Sequence, residues 1–231
     1  MIRRRNFFAS LAALGAGIHT SVASADEQPA TAVREVAFTS AARGGNFRHR
    51  QAFAAQHVSN GAVFAFVGNA LNGFQFGWSE GPGTFHPAAV FYGYASSLAL
   101  DDWAWDNYPI RELLTMVNDP VAAPNRNTGN PFHNPTSTLR AEDDPEDEHG
   151  FYFDRSIVAL QRRGATFYAC NNAVRLVAKQ LLATRLVPSG ELNALHAKFR
   201  AHLVPGAILV PAGVVAVAAL QEQGYTFFPA S

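Results

Sequence analysis

A single cysteine, Cys170, is all the thiol this chain carries, so no internal disulfide can staple the fold. Lysine is almost missing too: Lys179 and Lys198 stand alone and arginine supplies the remaining positive charge. The formal net charge is zero, which removes the basic surface that nucleic acid would require. After the first residues no apolar run approaches the ~20 residues needed to cross a bilayer. There is no G-x-S-x-G and no P-loop. Gly81-x-Gly83 lacks a third glycine and precedes a strand, so it does not read as a nucleotide loop. His86, His133 and His149 could converge on a metal, but they have no i, i+4 or H-x-H spacing and read better as scattered histidines. Residues 142–148 hold six acids in seven positions, yet offer no fixed ligand geometry, and read as a solvated acidic turn. Neither a metal nor a cofactor is therefore expected.

What is present begins with an export pattern. Arg3-Arg4-Arg5-Asn6-Phe7-Phe8 is a basic head, Phe7 to Ile18 a mildly apolar run, and Ala23-Ser24-Ala25 a small-residue cleavage site. The RR-x-F-F order resembles a twin-arginine (Tat) signal over residues 1–25, which places the mature protein in the periplasm. Losing residues 1–25 removes three arginines and no acids, leaving 15 Lys+Arg against 18 Asp+Glu. Residues 26–44 are small and polar and read as a flexible leader. The remainder, 45–231, is long enough for one core, with 48% hydrophobic residues over the chain.

Within it, His49 to Ala54 reads as a first strand, Asn60 to Gly77 as a buried helix and Ala88 to Tyr92 as a central strand. Ala95 to Trp105 and Ile110 to Val117 read as helices. Residues 118–150, rich in Asn, Pro and Asp, form a long loop. From there a helix capped by Asp154 and closed by Gly164 leads into a strand over 165–169. Helices over 171–184 and 191–202, a strand over 207–210, a helix over 213–223 and a last strand over 225–228 follow. Strands alternating with helices predict an α/β fold, a Rossmann-like three-layer sandwich with a mainly parallel sheet.

One unit is used twice. ALQRRGATFYACNN, residues 159–172, is echoed by ALQEQGYTFFPA, residues 219–230. Both read as a helix end, a glycine cap and the start of a parallel strand. Only the first continues into another helix, and Cys170 sits at that junction, before Asn171-Asn172. In open α/β sheets ligands gather beyond the carboxyl ends of strands. A helix start there favours an anion, hence a thiolate or persulfide. The competing reading is a small buried hydrophobe. The stretch 101–110, with Trp103, Trp105, Tyr108, Asp101, Asp102 and Asp106, could line a pocket or pack under the long loop.

GATFYACNNAVRL followed by LVPGAILVPAGVVAVAALQEQGYTFFPA resembles the C-terminal half of DsrE/DsrF-like proteins, and AAVFYGYASSLALDD resembles their central strand and helix. The likeness is good over 151–229, weaker over 46–117, and leaves the loop and leader outside. It implies a DsrE-like domain that forms homo-oligomers and handles sulfur, Cys170 carrying a persulfide to or from a donor or acceptor protein. A small ligand held near Cys170 by Asn171, Asn172, Tyr94 and Trp103 is the broader form of that expectation. Where many members have a histidine-glycine pair after the central strand, this chain has Gly93-Tyr94. The alternative function is a non-catalytic, partner-binding or oligomerising domain whose cysteine is inert.

Overall fold

The computed structural model describes residues 47–122, 128–134 and 155–230. All of them belong to the unit Thr31–Ser231. The signal-peptide and leader readings, and the acidic run 142–148, lie outside the described residues.

Five strands, β1 (His49–Ala55), β2 (Phe85–Phe91), β3 (Thr166–Cys170), β4 (Ile208–Val210) and β5 (Thr226–Pro229), form one sheet in the order β4-β3-β2-β1-β5. All four pairings are parallel. Among the described residues, seven α-helices connect and follow them: α1 (Ala62–Asn72), α2 (Asp102–Asn107), α3 (Ile110–Met116), α4 (Ile157–Arg162), α5 (Asn171–Ala183), α6 (Leu192–Ala201) and α7 (Gly213–Glu222). The chain walks outward from β1 to β4 and then jumps back past β1 to place β5. Right-handed crossovers in opposite directions put their helices on opposite faces. One face therefore carries the larger core, with Phe53, Phe91, Phe167, Leu209 and the helices up to α6. The other is covered by α7, whose Ala216 and Leu220 close on Ala52, Ala88, Val90, Tyr168 and Val210. This is the α/β sandwich that the strand–helix alternation predicts.

The repeated unit is reproduced bond for bond. Gly164 N–H donates to Gln161 O at 2.9 Å, and Gly224 N–H to Gln221 O at 2.9 Å. Ala165 N–H donates to Leu160 O at 3.0 Å, and Tyr225 N–H to Leu220 O at 3.1 Å. Both glycines take positive φ, 95° and 86°, where a side chain would be strained.

Several boundaries move. The first helix starts at Ala62, because Ser59, Asn60 and Gly61 all have positive φ. It ends at Asn72 and continues as a π turn over Gly73–Gly77. The helix expected from Ala95 to Trp105 is broken at Leu100, which is extended and bridges to Leu203. A 3₁₀ stretch, Gly93–Ala99, precedes the break, and Asp101 opens α2 by accepting from Ala104 N–H at 2.9 Å. The cap of α4 is Ser156, accepting from Ala159 N–H at 3.1 Å; Asp154 lies outside the described residues. Strand β3 runs through Cys170 instead of ending at Ala169.

Candidate functional site

Strand alternation decides where the thiol goes. Tyr168 and Cys170 face α7, while Phe167 and Ala169 face the larger core. Cys170 pairs with Val210 across β3–β4 and immediately precedes α5. Its side chain makes no capping hydrogen bond to that helix. It is 5% exposed.

The cover over it is the first residue of α7. A Cβ built on Gly213 would lie 2.8 Å from Tyr92 Cβ, 3.2 Å from Cys170 Cβ and 3.4 Å from Val90 Cγ1. Gly213 is thus needed for close approach: the bare backbone of α7 seats directly on Cys170, Tyr92 and Val90. The thiol stands at the carboxyl edge of the sheet, as its place in the repeat predicts. Its neighbours Tyr92 and Gly213 were not singled out in the sequence. The signal available was the "PAGV" turn before an apolar helix, which marks a helix start but not what it covers.

The other expected ligand residues are engaged separately. Asn171 Oδ1 accepts from His196 Nε2 at 3.0 Å, tying α5 to α6. His196 is held below its ordinary pKa by burial and by the charges of Arg175 and Arg200, which keeps it neutral. Asn172 is exposed on the first turn of α5. Tyr94 packs partly buried against the larger core. Trp103 stacks on His202 at 3.7 Å, and His202 Nδ1 lies 3.1 Å from Asp101 Oδ2.

Of the two readings for 101–110, packing is what the acids serve. Asp102 Oδ1 accepts from Asn130 N–H at 3.0 Å, and Asp106 Oδ1 from Gly129 N–H at 2.6 Å. Asn130, fully buried, donates to both Leu98 O and Leu100 O, at 2.8 and 2.7 Å. Phe132 fills the space left by the missing side chain of Gly61 and meets Phe64 at 5.4 Å. Part of the expected long loop is therefore core material. A second piece, Asp119, is buried and accepts from Val58 N–H at 2.5 Å and Ser59 N–H at 2.8 Å. It fills the concave backbone of the β1–α1 turn, the kind of turn that elsewhere cradles anions.

The glycine at position 93 also has a local cause. Its φ is 55°, and a Cβ there would stand 2.7 Å from Gln56 O. A histidine side chain has no room at that position.

The histidines do not assemble. His86 is buried on the α7 face of the sheet: its Nδ1 is hydrogen-bonded to Tyr225 Oη at 2.7 Å, and its Nε2 to Thr166 Oγ1 at 3.0 Å. Burial, then Arg50, pushes His86 down to about 4. Tyr168, in the same seam, is pushed up to about 12 by burial and then by Tyr225. His133 Nδ1 sits 3.3 Å from Asp102 Oδ1, and His149 lies outside the described residues. Among the described residues no group of three or more His, Cys, Asp or Glu side chains could hold a metal ion. Among them, too, no helix is long and apolar enough to cross a membrane. Comparison with family models, with curated proteins and with solved structures finds no match for the chain.

Proposed function

We propose that this is an exported DsrE-like protein that handles sulfur, or binds a small ligand, through Cys170. The observation that carries the reading is the placement of the one thiol: at the carboxyl end of β3, at the start of a 13-residue helix, against Tyr92 and the bare backbone of Gly213. Helix α5 begins at that edge, and the start of a helix offers backbone N–H groups to an anionic ligand. A single sulfur atom added to Cys170 is small enough for so tight a site. A bulky substrate would first have to lift the start of α7. Persulfide transfer would then run to and from a donor or acceptor protein, in the periplasm after Tat export.

Native protein is tested by alkylation with iodoacetamide across pH, beside the unfolded chain. The reading expects labelling of folded Cys170 near neutral pH and one-sulfur addition from a polysulfide, seen as a mass gain that Cys170→Ser abolishes. Labelling that appears only on unfolding would leave the other reading ahead. That reading, a non-catalytic oligomerising domain, is favoured by the burial of Cys170 and by Val214, Val215 and Phe227, which are 66%, 62% and 46% exposed. It expects a homo-oligomer by mass in solution, and aspartate at Val214 should dissociate it.

A further inference from the structure

Helix α7 has an apolar outside as well as an apolar inside. From Gly213 to Leu220 it holds no polar side chain. Ala216 and Leu220 are buried on the sheet, while Val214 and Val215 are 66% and 62% exposed. Ala218, one turn on from Val214, is exposed too, and polar residues appear only at Gln221 and Glu222. A helix that is apolar all round belongs in an interior. We propose that this outer face is the docking surface for residues 33–38 of the same chain, Val-Arg-Glu-Val-Ala-Phe.

The place where the described chain starts is the first argument. The ring of Phe47 lies 4.6 Å from that of His86. His86 shares the side of β2 that carries Ala88 and Val90, which is the side α7 covers. Arg50 donates to Gln223 O at 3.1 Å, so the start of β1 lies beside the end of α7. The chain therefore meets the sheet on the α7 side, next to the end of that helix. Helix α7 has 10 residues and is about 15 Å long. Phe38 stands nine positions before Phe47, and extended chain of that length reaches ~30 Å. Val36 and Phe38 can thus lie on Val214 and Val215 without stretching the connection. Gly44-Gly45 gives that connection the freedom to turn back along the helix.

Size and composition agree with this occupant. Two valines and an alanine make a small patch beside the ~800 Å² per partner that a stable complex buries. A tethered segment needs far less, because a short linker raises its local concentration to the millimolar range. Across residues 31–46 the only large apolar side chains are Val33, Val36 and Phe38, all within one stretch of six. Between them Arg34 and Glu35 cancel in charge, which suits a face that carries no charge before Glu222. A second copy of the chain is the competing occupant. The inference does not depend on the chemistry of Cys170.

Trypsin cuts after Arg34, inside the segment, and cleavage of a docked segment tracks the population of its open form. The chain from residue 26 onward is digested briefly, and the initial rate at Arg34 is read by mass spectrometry beside a synthetic peptide of residues 26–46. The peptide should be cut at least about tenfold faster than the protein. Val214→Asp combined with Val215→Asp should bring the protein to the peptide's rate. Val36→Asp combined with Phe38→Asp should do the same against a peptide of its own sequence. Protection should not change with protein concentration. Cleavage of wild type at the peptide's rate would overturn the proposal, as would protection that survives in a folded Val214→Asp, Val215→Asp protein. Protection that survives Val36→Asp with Phe38→Asp would overturn it even if the α7 variant failed to fold. Protection lost on dilution together with a dimer mass would overturn it in favour of a second copy.

Discussion

Acid should unfold this protein partly through one buried histidine. His86 is 8% exposed and enclosed by Tyr225, Thr166 and the ring of Phe47 at 4.6 Å, with the positive charge of Arg50 nearby. Burial and Arg50 together lower the group from 6.5 to about 4 in the folded protein. The sign follows from proton counting. Between those two values the unfolded chain binds a proton on His86 and the folded chain does not, so stability falls as pH drops. Above pH 7 both states are neutral and His86 contributes no slope. The whole shift corresponds to ~3 kcal/mol, and screening at the rim of the α7 seam reduces the expected loss to ~2 kcal/mol. His86→Gln removes the titration while retaining a polar side chain. Urea unfolding of both proteins should be measured from pH 7 to pH 4. The absolute offset between them is irrelevant; the difference should shrink by ~2 kcal/mol as the wild type loses its advantage. Two curves that run parallel across that window would refute the reasoning.

Asp119→Ala should cost ~3 kcal/mol, because it strands two N–H donors in a turn already holding Ser59 and Asn60 at positive φ. Part of the loss should return when formate is added, since a free carboxylate can re-enter the concave turn; thermal unfolding with formate against chloride reads this. Gly213→Ala should destabilise by ~1–2 kcal/mol despite alanine's better helix propensity, because its methyl would overlap Tyr92. The same substitution should raise the alkylation rate of Cys170 if α7 is pushed off the thiol, and a more stable variant with unchanged labelling would contradict the packing described. Replacing Arg4 and Arg5 by lysine should leave the precursor unexported in a Tat-competent host, which immunoblotting of periplasmic fractions would check.

The amino-acid sequence by itself determined the order of elements, the parallel sheet and the repeated helix–glycine–strand unit. These rest on local physics: apolar periodicity, glycine at positive φ and polar caps act within a few residues. The placement of Cys170 at a strand–helix junction was legible for the same reason. Tertiary structure alone decided what meets that junction. Gly213 reaches Cys170 because the jump from β4 past β1 to β5 lays α7 across the sheet, and strand order leaves no local trace in sequence. Asn130 and Asp119 were hidden in a stretch whose composition reads as loop, yet each satisfies backbone groups about 30 and 60 residues away. Tyr225 and His86, 139 positions apart, are hydrogen-bonded because the sheet brings the entry to β5 and the start of β2 to the same face. A buried polar group takes whichever partner the packed chain brings to it, and that choice exists only once the sheet and its helices are in place.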